Sequence, residues 1–296
     1  MAQEITTGII VSPNPKAQQL AGELLKILPA EIVNVTFSGN MADKKQLSNY
    51  KHLHQFIAVG GDGACLKAMR IAHELSQQEQ TEKTPIVFGL NCGHIGALSN
   101  PIGDIQKLPE RIATTSYQTV YPLEVKATFR EKIMYHTFFN EVLLKPLGNV
   151  TNLKIVWKDN VWYQKNIRGG IMVSTKVGEN AMNACNYTGP EPILSIPDYE
   201  HWRMSTLHAM NNDTTCDKAF QTIVPANAKI TIDVNNPYED RNAQLIGDSH
   251  YNDGEHPLIQ DNRVIGVRTD SMFVEKIKIA SSPRCVLLAR EKSHTR

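Results

Sequence analysis

The chain has 296 residues, 41% of them hydrophobic and 21% charged, and its 31 Lys+Arg against 30 Asp+Glu leave a net charge of +1. That balance gives no argument for a general electrostatic hold on nucleic acid, while leaving room for a local basic patch, and no apolar stretch approaches the ~20 residues of a membrane span. The length suits one large or two ordinary domains with a sizeable core. The five cysteines, Cys65, Cys92, Cys185, Cys216 and Cys285, are scattered and odd in number. They form neither a disulfide framework nor a C-x-x-C knuckle. The start, Met1-Ala2-Gln3-Glu4, lacks the basic and apolar regions of a secretory signal. The expectation is a reduced, cytoplasmic chain with no nucleic-acid or membrane partner.

In chain order, Gly8 to Ser12 is a short apolar run that predicts a buried strand. Pro15 to Leu28 places Leu20, Leu24, Ile27 and Leu28 at helical spacing, with Pro15 suited to the start and Pro29 to the stop. Ile32 to Phe37 alternates as a second strand. Phe56 to Val59 is a third apolar run that ends at glycines. Cys65 to Leu75 shows a helix face, Gln77 to Thr84 reads as a loop, and Pro85 to Leu90 as a fourth strand. Strands alternating with helices imply parallel pairing in a layered α/β domain.

Near residue 120 the pattern changes. Tyr121 to Phe129 puts Tyr121, Leu123, Val125, Ala127 and Phe129 on one strand face. Phe138 to Leu144, Leu153 to Trp157, Val161 to Tyr163, Ile171 to Ser174, Ile230 to Val234, Arg263 to Arg268, Lys276 to Ile279 and Val286 to Leu288 continue the strands. Asp159-Asn160 is a plausible hairpin turn. Few later segments look helical, so a β-rich second domain is expected.

The strongest chemical feature is Phe56-Ile57-Ala58-Val59-Gly60-Gly61-Asp62-Gly63 followed by a helix. Glycines let the backbone approach phosphate oxygens, and a helix N-terminus presents unpaired N–H groups and a positive dipole end. A carboxylate there repels phosphate. It makes sense as a cation ligand or as the acceptor of a proton from an attacking hydroxyl; a tight turn with Asp62 as N-cap is the alternative. There is no G-x-x-x-x-G-K-[ST] and no G-x-G-x-x-G. Gly89, Gly93 and Gly96 follow a strand and suit either a second loop at the same sheet edge or a structural turn. Asn140-Glu141 interrupts an apolar run, as a buried pair holding a ligand or as a strand-end turn. The histidines and cysteines form no metal cluster, and no G-x-S-x-G elbow is present.

The order and spacing of these blocks resembles the NAD kinase family, over roughly residues 5 to 290. The blocks are Gly60-Gly61-Asp62-Gly63, the G-x-N-x-G-x-x-G of Gly89 to Gly96, Asn140-Glu141, and Gly169-Gly170-Ile171-Met172-Val173-Ser174-Thr175. Gly-Gly-Asp-Gly alone also occurs in related lipid kinases; the Asn-Glu and Ser-Thr blocks favour the NAD-directed branch. The resemblance implies a Rossmann-like parallel α/β domain over 1–119 and a β-rich domain over 120–296 that contributes the NAD pocket. It implies an active site between them, and a homodimer or homotetramer. It implies transfer of a phosphoryl group from ATP, or polyphosphate in some members, to the 2′-hydroxyl of the adenosine ribose of NAD, with a divalent cation such as Mg2+. By the same resemblance Asp62 is the catalytic base, and Gly60, Gly61 and Gly63 bind phosphates. Asn91, Asn140, Glu141, Ser174, Thr175 and Ala181 contact NAD. Asp248 and Asp253-Gly254 fall where the family often has an Asp-Gly pair.

The chain departs from the family in three places. Ala64 replaces the Thr after Gly-Gly-Asp-Gly, and Gly169 replaces an Asp. Lys176-Val177-Gly178-Glu179-Asn180-Ala181-Met182 stands where the family has P-T-G-S-T-A-Y. A divergent kinase fits this pattern; a non-catalytic NAD/NADP sensor or partner subunit is the alternative.

Overall fold

A computed structural model of the chain describes residues 7–38, 41–79, 84–93, 96–146, 151–167, 170–175, 177, 201–206, 221–225, 227–235, 243–248, 258–260, 263–265, 273–274 and 276–291. Backbone packing divides the chain into two compact units, Met1–Tyr121 with Pro283–Arg296, and Pro122–Ser282.

The first unit opens with β1 (Thr7–Val11), α1 (Pro15–Ile27), β2 (Ala30–Ile32), the small hairpin of β3 (Phe37–Ser38) and β4 (Met41–Ala42), and α2 (Lys44–Leu47). It continues with β5 (Gln55–Gly60), α3 (Asp62–Glu79), β6 (Ile86–Asn91), α4 (Leu108–Thr114) and β7 (Ser116–Val120). Helix α1 begins where Asn14 Oδ1 accepts from the amides of Lys16 and Ala17, with Pro15 in the first turn, where its missing N–H costs nothing. Strands β1, β2, β5 and β6 pair in parallel. Ile9, Ile57, Val59, Phe88 and Leu90 pack with α1 residues Ala17, Leu20, Ala21 and Leu24. The alternate residues Ile10, Phe56, Ala58 and Val87 are also buried. A Cβ on Gly89 would collide with Cys65 of α3, so α3 lies on that second face. Both faces of the sheet are therefore covered, as parallel sheets require.

The second unit runs β8 (Leu123–Phe129), β9 (Lys132–Phe138), β10 (Glu141–Pro146), β11 (Thr151–Trp157), β12 (Asn160–Ile167) and β13 (Ile171–Ser174). It goes on through β14 (His201–Thr206), β15 (Gln221–Pro225), β16 (Lys229–Asn235), β17 (Ala243–Gly247), β18 (Leu258–Gln260), β19 (Arg263–Ile265), β20 (Phe273–Val274) and β21 (Lys276–Ser281). One six-stranded sheet has the order β15-β14-β13-β10-β17-β20 and another β12-β11-β16-β21-β8-β9. Val142, Leu144, Val173, Trp202 and Leu245 of the first join Leu123, Val125, Ile155, Ile230 and Ile232 of the second in one apolar cluster. The last strand, β22 (Val286–Arg290), lies in the first unit's sheet, parallel to β6 and antiparallel to β7. The parallel α/β and β-rich fold classes expected from sequence are both present.

Several boundaries differ from expectation. The second strand shrinks to Ala30–Ile32, although the amide of Val33 still reaches the carbonyl of Ile9 at 2.9 Å. Helix α3 continues through Gln77 to Glu79, because Gln and Glu favour helix and Gln77 bonds His73 at 2.9 Å. Residues 138–144 form a corner between β9 and β10 instead of one strand. The hairpin turn is Lys158-Asp159, both at positive φ, one residue earlier than expected. Val286 to Leu288, grouped from sequence with the β-rich half, pairs in the first sheet. Among the described residues no helix is long and apolar enough to cross a membrane.

Candidate functional site

In the first unit, β1 pairs with β2 on one side and β5 on the other, so the sheet's connections reverse direction between β1 and β5. Open α/β sheets bind ligands beyond the carboxyl ends of strands at such a reversal. Gly60, at the end of β5, stands there beside Ser12, which follows β1. A Cβ on Gly60 would lie 2.7 Å from Ser12 Cβ and 2.8 Å from Ala64 Cβ, so only glycine lets the three chain segments meet. Gly61 is different: a Cβ there would meet nothing within 4 Å. The turn is open at that point, directly before the first turn of α3. Asp62 and Gly63 lie in that first turn, whose N–H groups have no carbonyl four residues back to bond.

The glycine-rich segment after β6 folds against this turn. Gly60 and Asn91 are register partners, and the amide of Cys92 donates to the carbonyl of Gly60 at 2.7 Å. Asn91 Oδ1 accepts from the amide of Gly93 at 2.8 Å, closing a local Asx turn. Asp62 completes the join. Its Oδ2 accepts from the amide of Ala97 at 2.9 Å and its Oδ1 from the amide of Leu98 at 2.8 Å. The carboxylate is half-buried, and each oxygen keeps lone-pair capacity beyond its one amide. Sequence reasoning missed Asn100. Its Nδ2 donates to the carbonyls of Gly89 and Ala289, and its Oδ1 accepts from the amide of Glu291 at 2.9 Å, pinning β6 to β22.

In the second unit Asn140, Glu141, Ser174 and Thr175 come together, all buried. Glu141 faces Ser174 across the β10–β13 ladder. Thr175 closes the corner: its amide donates to the carbonyl of Asn140 at 2.8 Å and its hydroxyl to the carbonyl of Phe139 at 2.5 Å. Asp248, noted from sequence only as falling where the family often has an Asp-Gly pair, follows β17. It accepts from the amides of Phe139 at 2.5 Å, Asn140 at 2.7 Å and Glu141 at 3.3 Å. That family position was its signal in the sequence; its hold on residues 139–141 was not foreseen. Two oxygens at the corner, Asn140 Oδ1 and Glu141 Oε2, are buried with no hydrogen-bond partner among the described residues. Burial, and secondarily the Asp248 charge, push the Glu141 carboxyl up to about 7. Buried acceptors without partners are costly unless a ligand supplies donors, and raised carboxyls of this kind cluster at functional sites. Ala181 lies outside the described residues, as do His94, Gly169, Lys176 and Asp253. Among the described residues no group of three His, Cys, Asp or Glu side chains could hold a metal ion.

No protein-family profile matches the chain. By fold, it resembles an NAD kinase from Archaeoglobus fulgidus, crystallised with ATP, at a TM-score of 0.61 and 13% identity, covering 97% of this chain and 94% of that one. It also resembles yeast NADH kinase, crystallised with NADH, at a TM-score of 0.67 and 13% identity, covering 98% and 84%. The fold class is thus one found in kinases of nicotinamide dinucleotides. By sequence, 180 residues are 28% identical to an NAD kinase of Zymomonas mobilis subsp. mobilis, and the match covers 59% of each chain. The chain therefore aligns with a little over half the length of that curated relative. The sequence match and the fold likeness both lead to proteins named as NAD or NADH kinases.

Proposed function

We propose that the chain transfers the γ-phosphoryl group of ATP to the 2′-hydroxyl of the adenosine ribose of NAD, giving NADP and ADP. The observation that carries the proposal is the corner at Asn140-Glu141, where Asn140 Oδ1 and Glu141 Oε2 are buried with no hydrogen-bond partner among the described residues. Ribose hydroxyls and amino groups are the donors such acceptors suit. The open glycine turn of Gly60, Gly61 and Gly63 at the start of α3 supplies backbone N–H groups for phosphate oxygens. Asp62 takes the proton of the 2′-hydroxyl as the new O–P bond forms and the bond to ADP breaks. Asn91, Ser174, Thr175 and Ala181 line the dinucleotide. Phosphoryl transfer asks chiefly for positioning and charge neutralisation, and Asp62 is held by two amides in one orientation.

The described residues do not build a dedicated metal cage. Mg2+ gives up its waters reluctantly and is commonly held by substrate phosphates with one or two carboxylates. In this proposal it arrives with ATP. A homodimer or homotetramer in the cytoplasm completes the reading, supported by the resemblance to the family. The test is to incubate purified chain with ATP, magnesium and NAD and follow NADP with an NADP-specific dehydrogenase. Time-dependent NADP formation is expected; saturable NAD binding without NADP would contradict the kinase and favour the sensor.

A further inference from the structure

Asp248 has a backbone that few side chains adopt, Asp and Asn being the more tolerant of them. Its φ is +43°, in the left-handed region where glycine is at ease and most side chains are strained. Its side chain is 3% exposed. A buried carboxylate needs hydrogen-bond partners, and its bonds supply them. It gathers three consecutive amides, those of Phe139, Asn140 and Glu141, from a chain segment about 110 residues away in sequence. Those three residues are the corner that replaces the single strand expected from sequence. Gly247 allows the approach: a Cβ there would lie 2.5 Å from the carbonyl oxygen of Glu141.

We propose that Asp248 is a positioning residue for dinucleotide binding. Its carboxylate fixes the bend at Phe139–Glu141, so that Asn140 Oδ1 and Glu141 Oε2 stay buried and unpaired until a ligand's donor groups reach them. The inference rests on the reading of the corner as the NAD subsite. It adds a residue that never touches the ligand and acts through its neighbours' backbone.

The electrostatics of the corner agree. Beyond burial, Asp248 is the charge that raises the Glu141 carboxyl. The elements paired with β10 are β13 and β17. Among the described residues, β13 brings the uncharged Ser174 and Thr175 to the corner and β17 leads into Asp248. One strand further along the same row, Arg203 of β14 is the register partner of Ser174. With a midpoint near neutrality, Glu141 is protonated in a large share of molecules, and can then donate as well as accept. A ligand carrying both kinds of group, such as a ribose diol, suits that state.

The test uses the full chain with two variants, Asp248→Asn and Asp248→Gly. The first keeps one acceptor oxygen; the second removes the carboxylate while relieving the positive φ, and so protects against simple misfolding. Two readouts are taken. The first is the ligand-free titration of Glu141 by carbon-detected NMR: a midpoint near 7 is expected for the unaltered chain, and a fall of half a pH unit or more in both variants. The second is calorimetric binding of NAD and, separately, of ATP. NAD affinity is expected to fall tenfold or more in both variants while ATP affinity stays within twofold. An unmoved Glu141 midpoint, or unchanged NAD affinity in a folded variant, would overturn the proposal. Parallel loss of ATP and NAD affinity would also overturn it, as the mark of a merely structural residue. If the unaltered chain bound no NAD, the NAD-subsite reading would fail on its own, while the Glu141 titration would still report on the clamp.

Discussion

Asp62 has two jobs at one carboxylate. It holds the amides of Ala97 and Leu98, and in the proposed reaction it takes the hydroxyl proton. Asp62→Asn keeps the shape but turns an NH2 toward one of those amides and removes the base. Turnover is expected to fall by ~10²–10⁴ fold, the usual worth of a placed acid or base. Stability is expected to fall by about 1–3 kcal/mol from the mismatched amide. NADP formation by this variant at the unaltered rate, measured at saturating substrates, would remove Asp62 from the chemistry. Glu141 makes a different prediction. Its carboxyl is raised from 4.5 to about 7, so between those values the folded chain holds a proton that the unfolded chain has released. Stability must therefore fall as pH rises through that window, by about 1.4 kcal/mol per pH unit for one fully shifted proton. Urea midpoints recorded from pH 4.5 to 7.5 should show a shallower decline in Glu141→Gln than in the unaltered chain. Identical slopes would show that the carboxyl titrates normally.

Among elements, the meeting of β17 and β10 is the most exacting. Gly247 pairs with Val142, and a Cβ on it would sit 2.5 Å from both the Glu141 carbonyl oxygen and the Phe138 ring. No rotamer relieves a clash with backbone. Gly247→Ala is expected to cost about 2–4 kcal/mol, in the range of overpacking plus a disturbed corner, and to weaken NAD binding together with thermal stability. A melting temperature within a degree of the unaltered chain would show that the corner has slack. This element also marks the limit of sequence reading. The run Phe138 to Leu144 carries enough apolar residues to read as one strand. The bend at residues 139–140 is imposed by Asp248, a partner remote in sequence that no local pattern announces. The Asn-Glu pair itself was legible, since adjacent polar residues inside an apolar run demand partners. The glycine turn was legible too, because its signals lie within eight residues: strand, glycines, helix start. Strands β14, β15 and β17 escaped notice because each is short and mixes polar with apolar positions.

At the scale of the whole chain, sequence order suggested an α/β half followed by a β-rich half. That held except at the end, where β22 returns to lie between β6 and β7. A short apolar run such as Val286-Leu287-Leu288-Ala289 suits a buried strand in either unit; only pairing decides. Asn100 and the ion pair between Arg111 and Glu291, at 2.6 Å, then tie the returning segment down. Residues 283–296 are consequently no dispensable tail. Val286, Leu288 and Ala289 are fully buried, and losing the two large side chains alone forfeits about 1.5–3 kcal/mol each, before the two strand ladders are counted. Against a typical total of ~5–15 kcal/mol, a chain ended after Ser282 should lose cooperative thermal unfolding of the first unit. A sharp, unshifted transition in the shortened chain would contradict the placement of β22.

The central claim is that the phosphoryl group leaves ATP for a ribose hydroxyl of NAD. Phosphorus NMR of the purified chain with ATP, magnesium and NAD reports the fate of that group directly. A growing phosphomonoester resonance at the 2′ position of the adenosine ribose is expected, matched one for one by ADP. Release of inorganic phosphate alone, or an unchanged ATP spectrum from folded, NAD-binding protein, would contradict it.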